Sequence, residues 1–432
     1  MLAAGGISGS IGVRAVAENQ PGNNQNRMTS EFSEFAARWR KHLLPETLDS
    51  RGSGAEPRED CLEPPGGPSG EEAVFNRLAL ELFGLQFRHN PSYKRFCDAR
   101  GVTPDSVTHW TRIPAMPASA FKELELSCLP VQKRTDVFHS SGTTEHRPGR
   151  HFHSPESLAL YGDSLWPWFR AHLAPEVKAR IPDFKLLILT PPPAAAAHSS
   201  LVHMFDCVRR KLAAPVSAFA GKVTADRSWN LDLGAVLTAL GEGRRPLVLL
   251  GTAFSFVHLL DHLGAQGLRF RLPPGSRAME TGGYKGRSRS VPRAELHSLI
   301  TERLGIPPAR IVCEYGMSEL SSQAYDRVAG ENARAPRFHF PRWARARIIS
   351  PETGRDAGEG ETGLVCVVDL ANVFSVLAIQ TEDLAVRRGD GFEVIGRSLP
   401  AAPRGCSLMM DAGARFSDLH ETENGKGSRE FA

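Results

Sequence analysis

The sequence predicts an α/β fold in which helices cover a largely parallel β-sheet. Three short apolar runs, at residues 185–190, 246–251 and 310–315, end in polar residues, glycine or proline, which is typical of strands buried on both faces. Helical patterns at 230–240 and 292–304 alternate with these runs. Because such alternation builds parallel sheets, ligands are expected beyond the carboxyl ends of the strands.

The segment before this core is predicted to be an extension with little fixed structure. Residues 1–70 form a flexible N-terminal extension in which an amphipathic helix is possible at 30–44, while 51–70 is rich in Gly, Pro, Glu and Arg. Apolar residues at three- and four-residue steps in 71–87 predict a helix packed on the core. The α/β core is therefore expected to occupy 71–344.

Beyond the core, the pattern changes to hairpin strands separated by a Gly-rich turn. The segments 347–354 and 363–369 carry this pattern and predict a small β subdomain over 345–411. The last residues, 412–432, are polar and charged and are predicted to be disordered.

Composition excludes several classes of function. The 432 residues are 41% hydrophobic and 23% charged with a net charge of +4, which is ordinary for a soluble globular protein and implies no nucleic-acid partner. No apolar stretch approaches the roughly 18 residues needed for a transmembrane segment. Seven cysteines without a C-x-x-C pair argue against a disulfide framework and favour a cytoplasmic location. The first 27 residues make a poor signal peptide, and Met28 is a candidate start.

The stretch from Asp136 to Arg150 has the composition of a phosphate-binding loop. Small hydroxyl residues and glycines are followed by two arginines, Arg147 and Arg150. Glycines let backbone amides face an anion, hydroxyls donate hydrogen bonds, and guanidinium groups bind phosphate bidentately. The stretch matches neither the Walker loop nor the dinucleotide fingerprint. On turn chemistry alone a plain surface loop is the more frequent explanation, so the interpretation depends on other segments.

Three later segments complete a set of nucleotide-binding motifs. They are Glu280–Gly286, Glu314–Glu319, and Thr381–Asp383 with the following 391–397. With the first loop, and in this order, they resemble the adenylate-forming superfamily, whose members use ATP to convert a carboxylic acid to an acyl-adenylate. Within it, the chain resembles the LuxE type of acyl-protein synthetase, which activates fatty acids and carries the acyl group on its own cysteine.

Several phrases outside these motifs carry the narrower resemblance, which spans about residues 71–411. They lie at 78–83, 113–122, 138–144, 251–256 and 404–408. The resemblance implies an adenylate-forming large domain of layered, mostly parallel sheets and helices with a small β subdomain. It also implies that the full mobile C-terminal domain of the larger enzymes, with its catalytic lysine, is absent.

The resemblance assigns roles in binding ATP and Mg²⁺ to individual residues. The loop residues expected at the triphosphate are Ser140, Ser141, Gly142, Thr143 and Thr144. Those expected near adenine and ribose are Gly282, Gly283, Tyr315, Gly316, Asp383 and Arg397, and the expected metal ligand is Glu319. Tyr315 could instead be a core aromatic, and Glu319 an acid in the first turn of a helix.

The loop departs from the superfamily pattern at its end. Glu145 stands where many members have glycine, and Arg147 or Arg150 where many have lysine. Since arginine also binds phosphate, both arginines stay catalytic candidates. The expected acyl surface is less specific, because the apolar residues 254–260 could equally be ordinary core.

Cys406 is the cysteine that matches the acylated cysteine of the LuxE type. A thiolate is a strong nucleophile that can attack an acyl-adenylate, and the thioester formed keeps the acyl group activated. The neighbouring Arg404 favours the thiolate, and Gly405 gives the backbone freedom.

The leading hypothesis is a cytoplasmic, ATP-dependent fatty-acid ligase that forms an acyl-adenylate and then a thioester on Cys406. Its expected partners are the fatty acid and an acyl reductase subunit or an acyl-donating thioesterase. One alternative is an acyl- or aryl-CoA ligase resembling the phenylacetate-CoA ligases, and another is a nucleotide-binding scaffold without catalysis. Acyl chain length, final acceptor and oligomeric state stay open at this point.

Overall fold

The computed structural model describes residues 21–44, 68–140, 147–176, 184–212, 217–225, 228–282, 291–331 and 336–397. Its α-helices are α1 (Pro21–Leu43), α2 (Pro68–His89), α3 (Pro91–Asp98), α4 (Ala120–Glu123), α5 (Pro155–Leu173), α6 (Ser200–Leu212), α7 (Leu233–Gly241), α8 (Ala253–Ala265) and α9 (Arg293–Leu304).

The β-strands fall into one large sheet, a second mixed sheet and two hairpins. They are β1 (Met116–Pro117), β2 (Asp136–His139), β3 (Arg150–His153), β4 (Lys185–Ile188), β5 (Ser217–Phe219), β6 (Gly221–Val223), β7 (Trp229–Leu231), β8 (Leu247–Thr252), β9 (Arg277–Thr281), β10 (Ile311–Tyr315), β11 (Ala324–Tyr325), β12 (Ala344–Ile349), β13 (Thr362–Asp369), β14 (Ala378–Arg388) and β15 (Gly391–Arg397).

The central sheet has the order β11-β10-β9-β8-β4-β5, and every neighbouring pair except β10 with β11 is parallel. The three apolar runs of the sequence are β4, β8 and β10, so the prediction of a parallel sheet is confirmed. Helices α8 and α9 pack on one face, and α5 and α6 on the other. The carboxyl ends of β8, β9 and β10 therefore meet at one edge.

Helix α8 begins directly at this edge because Thr252 ends β8 and caps the helix. The Thr252 Oγ1 atom accepts a hydrogen bond of 3.0 Å from the Ser255 backbone amide, which satisfies one of the free donors of the first turn. Apolar side chains of the helix then enter the core at Phe256, Leu260 and Leu263. The strand and helix together fix the position of the Gly251–Phe256 phrase.

The second sheet has the order β1-β14-β13-β12, with β15 beside β14. Helices α1 and α2 pack against it, and Phe32, Phe35 and Trp39 of α1 are buried. The ring of Trp39 meets Trp343 edge-on, with centroids 6.0 Å apart. The prediction of a flexible extension is therefore wrong for residues 21–44, because these aromatic side chains complete the core.

The same packing changes the predicted boundary between the α/β core and the β subdomain. Strands β12 to β15 confirm the hairpin pattern after residue 344, but their buried residues share one cluster with α1 and α2. Strand β1, from the N-terminal part, also pairs in parallel with β14. The β-rich segment is thus part of a shared core rather than a subdomain with its own core.

Strands β2 and β3 form a hairpin that carries the predicted phosphate loop. Their register pairs Asp136 with His153 and His139 with Arg150, so the loop leaves and returns at one point. Within the described ranges, no helix is long and apolar enough to cross a membrane.

Candidate active site

The candidate site lies just beyond the end of β10. There, Ser318 is hydrogen-bonded to both strands of the β2–β3 hairpin. The Ser318 hydroxyl donates a hydrogen bond of 3.1 Å to the backbone oxygen of His139 on β2. The Ser318 carbonyl accepts one of 2.8 Å from Nδ1 of His151 on β3. Its hydroxyl also lies 3.2 Å from that of Ser200, at the start of α6. The loop and the Glu314–Glu319 motif are therefore held together.

The two ends of the phosphate loop are closed by Ser140 and Gly149. The Ser140 amide donates to the Gly149 carbonyl at 3.1 Å, and the Gly149 amide donates to Ser140 Oγ at 3.0 Å. The Ser140 hydroxyl in turn donates to the carboxyl group of Glu319. Hydrogen bonds thus close the base of the loop and also fix it to the Glu314–Glu319 motif.

Glu319 is a buried acid at the centre of these contacts. Burial raises the pKa of its carboxyl group to about 7, although the bond from Ser140 and the charges of Arg397 and Lys122 oppose the rise. A hard carboxylate oxygen at this place fits Mg²⁺, which usually combines one or two carboxylates with phosphate oxygens of a substrate. The described residues contain no group of three or more Asp, Glu, His or Cys side chains that could hold a metal ion.

Tyr315 presents an aromatic surface next to this acid. Its ring packs against Phe338, Phe340 and Phe392, with centroid distances of 5.5 to 6.2 Å. Its hydroxyl donates a hydrogen bond of 2.9 Å to Oδ2 of Asp383. A flat, half-buried ring with its polar end bound is a suitable surface for a purine base.

Asp383 joins the Thr381–Asp383 motif to the Glu314–Glu319 motif. Its Oδ2 accepts from Tyr315, and its Oδ1 accepts from Arg397 Nε at 2.9 Å. Its backbone amide donates to Thr381 Oγ1 at 3.1 Å, which fixes the turn of the chain. Because a carboxylate oxygen has two acceptor positions, each oxygen keeps one for a hydroxyl of a bound sugar.

Gly316 is required by the acid that precedes it by two residues. A Cβ atom at Gly316 would lie 2.3 Å from Oε1 of Glu314. Glu314 is buried, and the pKa of its carboxyl group is raised to about 7 by burial and by the nearby Glu280, against a hydrogen bond from Thr281. Glycine at 316 is the residue that leaves room for this buried acid.

Two curated proteins align with this chain over most of its length. Both are long-chain-fatty-acid–luciferin-component ligases, and each alignment covers 358 residues, 79% of this chain and 88% of the relative. The Vibrio harveyi protein is 24% identical and the Aliivibrio fischeri protein 21%. Residues 216–414 also match the family model described as acyl-protein synthetase, LuxE.

Over this part, the chain is similar to the LuxE acyl-protein synthetases. The chain is an enzyme of the ligase class. A crystal structure of 2-hydroxyisobutyryl-CoA ligase, in complex with 2-HIB-AMP and CoA, matches it with a TM-score of 0.55 at 14% identity. The match covers 75% of this chain and 68% of that chain. The predicted adenylate-forming fold is therefore confirmed.

Five of the predicted site residues are joined directly in this chain: Ser140 to Glu319, and Tyr315 and Arg397 to Asp383. Gly316 follows Tyr315 and Gly282 follows β9, both exposed. The predicted residues Ser141, Gly142, Thr143, Thr144, Gly283 and Cys406 lie outside the described residues.

In the part of the chain that the structure describes, neither of the two arginines after the loop is bonded to Glu319 or Asp383. Arg147 is exposed, and Arg150 belongs to β3, where its Nη1 lies 3.9 Å from Oε1 of Glu125. Glu125 is also paired with Arg134 at 2.8 Å. A catalytic role for Arg147 and Arg150 stays a prediction.

The expected acyl surface is partly core. Phe256, Leu259 and Leu260 of α8 are buried in the core of this chain. Phe254 instead lines a groove of about 310 Å³ between β7 and α8, which is also bordered by Val257, a buried residue of the same core. Only the groove side of this helix is therefore a candidate surface for an apolar substrate.

His151 is a residue of the candidate site that the sequence did not predict. Burial lowers the pKa of its imidazole to about 4, so the ring is neutral and donates from Nδ1 to Ser318. The alternation of β3 hints at an inward position, but the partner is 167 residues away. No sequence signal names that contact.

The buried acid Glu314 predicts a pH dependence of stability. Its folded pKa of about 7 lies above its ordinary value of 4.5, so its contribution is present below pH 4.5 and is lost as the pH rises through 7. The free energy of unfolding of the wild type should fall relative to that of Glu314→Gln by about 3 kcal/mol over this range. Urea unfolding at several pH values measures this difference.

The matched control is Glu302→Gln, a half-exposed helix acid whose partner is Arg269. Its free energy of unfolding should stay parallel to that of the wild type at all these pH values. An unfolding free energy of Glu314→Gln that also runs parallel to the wild type would contradict the prediction.

Proposed function

We propose that this enzyme uses ATP to activate a long-chain fatty acid as an acyl-adenylate and transfers the acyl group to the thiol of Cys406. The observation that carries the proposal is the direct bonding of Ser140 to Glu319 and of Tyr315 to Asp383. These residues come from three motifs that are far apart in the sequence. The names of the Vibrio harveyi and Aliivibrio fischeri relatives, both long-chain-fatty-acid–luciferin-component ligases, support the substrate class.

The residues present fit the parts of ATP. The Tyr315 ring and its phenylalanine neighbours offer a surface for adenine, and the free acceptor positions of Asp383 suit the ribose hydroxyls. Ser140, at the base of the loop, places the phosphate chain next to Glu319. Glu319 would hold Mg²⁺, which supplies positive charge to the phosphate oxygens when bound.

Two displacements complete the reaction. In the first, a carboxylate oxygen of the acid attacks the α-phosphorus of ATP, and the bond to the bridging oxygen of pyrophosphate breaks. In the second, the Cys406 thiolate attacks the acyl carbon, and the bond from that carbon to the AMP oxygen breaks. The thiol proton passes to solvent, and AMP leaves.

The described cysteines support the choice of Cys406 as acceptor. Cys97, Cys128, Cys313 and Cys366 are buried, and burial raises the pKa of each thiol. Cys207 is partly buried, and burial raises its thiol pKa as well. Raised pKa values keep these thiols protonated and poorly nucleophilic at neutral pH.

Cys406→Ala is expected to abolish covalent labelling of the protein by radioactive fatty acid in the presence of ATP. Adenylate formation should continue, because the thiol acts only after it. Labelling after denaturing electrophoresis measures the first effect, and ATP–pyrophosphate exchange the second. Cys207→Ala is the matched control and should keep its label. A labelled Cys406→Ala protein would refute the assignment.

The test of the whole proposal is ATP–pyrophosphate exchange across aliphatic and aromatic acids, since only reversible adenylate formation returns label to ATP. Exchange that depends on long-chain fatty acids is expected. Exchange with aryl acids alone would favour a CoA ligase, and ATP binding without exchange would favour a scaffold. A reductase subunit or a thioesterase as partner, and a cytoplasmic location, belong to the proposed function.

A further inference from the structure

Helix α4 lies between the base of the β2–β3 loop and the Thr381–Asp383 motif. Just before it, β1 pairs Met116 with Ile379 and Pro117 with Gln380, and the Ala118 amide donates to the Gln380 carbonyl at 2.9 Å. Gln380 immediately precedes the Thr381–Asp383 motif. The start of α4 is therefore anchored to the strand that carries the proposed ribose ligand.

Phe121, the second residue of α4, contacts the base of the loop. Phe121 is fully buried, and its ring meets that of His151 with centroids 5.9 Å apart. Its Cβ lies 3.3 Å from the position that a Cβ on Gly149 would take, and Glu319 Oε1 lies 3.2 Å from the same position. Helix α4, the loop base and the metal candidate thus meet at one point.

Lys122 follows Phe121 at this point and is half-buried. Its ammonium is close enough to Glu319 to lower the pKa of that carboxyl group. Among the described residues it makes no ion pair, whereas Arg150 is paired with Glu125 and Arg397 with Asp383. A cation held beside an anion site without a partner of its own is available to a ligand.

We propose that Lys122 is a catalytic residue whose ammonium binds the phosphate oxygens of ATP and stabilises the charge that develops as pyrophosphate leaves. A flexible lysine acts as a point charge and can follow oxygens that move during the displacement. This inference rests on the proposed function. It supplies a cation for the adenylation step from the N-terminal side of the site.

The test compares Lys122→Met, Lys122→Arg and wild type in ATP–pyrophosphate exchange and in calorimetric binding of Mg·ATP and of adenosine. Lys122→Met should lower kcat/KM for exchange by about 100-fold or more, as removal of one charge-stabilising donor does. It should weaken ATP binding about 10-fold and leave adenosine binding unchanged. Lys122→Arg should recover most of both losses, because it keeps the positive charge.

Lys41→Met is the matched control, since Lys41 is exposed on α1, and its binding and exchange should equal those of the wild type. The inference is overturned if Lys122→Met keeps exchange and ATP affinity within about threefold of the wild type. It is also overturned if adenosine binding weakens as much as ATP binding, which would indicate a structural role. A wild type that binds ATP without exchange refutes the proposed function alone, and the binding comparison then still decides the phosphate contact. A wild type that binds no ATP refutes both.

Discussion

Replacing Gly149 with alanine is expected to reduce ATP–pyrophosphate exchange by about 100-fold or more. The new Cβ would lie 2.6 Å from Ser140 Oγ, 3.2 Å from Glu319 Oε1 and 3.3 Å from Phe121 Cβ. The methyl group is enclosed on three sides, so the hydroxyl of Ser140 must leave Glu319. Displacements of about 1 Å at reacting groups have effects of this size.

The matched control is Gly162→Ala in the middle of α5. Nothing lies within 4 Å of a Cβ at this position, and alanine favours a helix over glycine by up to about 1 kcal/mol. Gly162→Ala should therefore exchange normally and melt at the same or a higher temperature. A Gly149→Ala protein that exchanges at the wild-type rate would show that the Ser140–Glu319 contact is dispensable.

Replacing Arg277 with methionine is expected to lower the free energy of unfolding by about 2–4 kcal/mol, because buried carbonyl groups lose their donors. Arg277 is fully buried on β9, and all five of its N–H groups have acceptors. Nη1 donates to the Leu173 carbonyl at 2.6 Å and to Glu176 at 3.0 Å, and Nη2 donates to Glu176 and to the Gly275 carbonyl. Nε also donates to Gly275 at 3.0 Å.

Methionine fills a similar volume but leaves the carbonyl groups of Leu173 and Gly275 without these donors, while the half-exposed Glu176 can be hydrated. The guanidinium also lies over the Phe184 ring, with its carbon 4.5 Å from the centroid. Urea unfolding measures the difference. Arg209→Met removes a surface pair with Asp206 and should cost less than about 1 kcal/mol. Equal losses in the two variants would contradict the assigned role of Arg277.

Arg277 also explains why one central strand escaped prediction. Strands β4, β8 and β10 each contain three or four consecutive apolar residues, and this pattern predicted them directly. Strand β9 carries Arg277 and Glu280 in a fully buried segment. Its charges read as polar in the sequence, because their partners Glu176 and His297 come from elsewhere in the chain.

The burial of the N-terminal helix escaped prediction for a related reason. An amphipathic helix at 30–44 was possible from the sequence, but its burial depends on Trp343, about 300 residues later. Local pattern predicts that a helix forms and says little about what covers it. The candidate site divides in the same way: the order of motifs predicted Tyr315 and Asp383, while Lys122 and His151 act through contacts that only the fold creates.

The hydrogen bonds of Ser318 to His139 and His151 have a consequence for how this enzyme can vary. They hold both strands of the hairpin at a fixed place beside the Tyr315 ring, which is the surface proposed for adenine. The turn between β2 and β3 can therefore be replaced while the two strands keep their position. Under the proposed function, affinity for the phosphate chain and affinity for the base would then be separately adjustable, in natural divergence and in engineering alike.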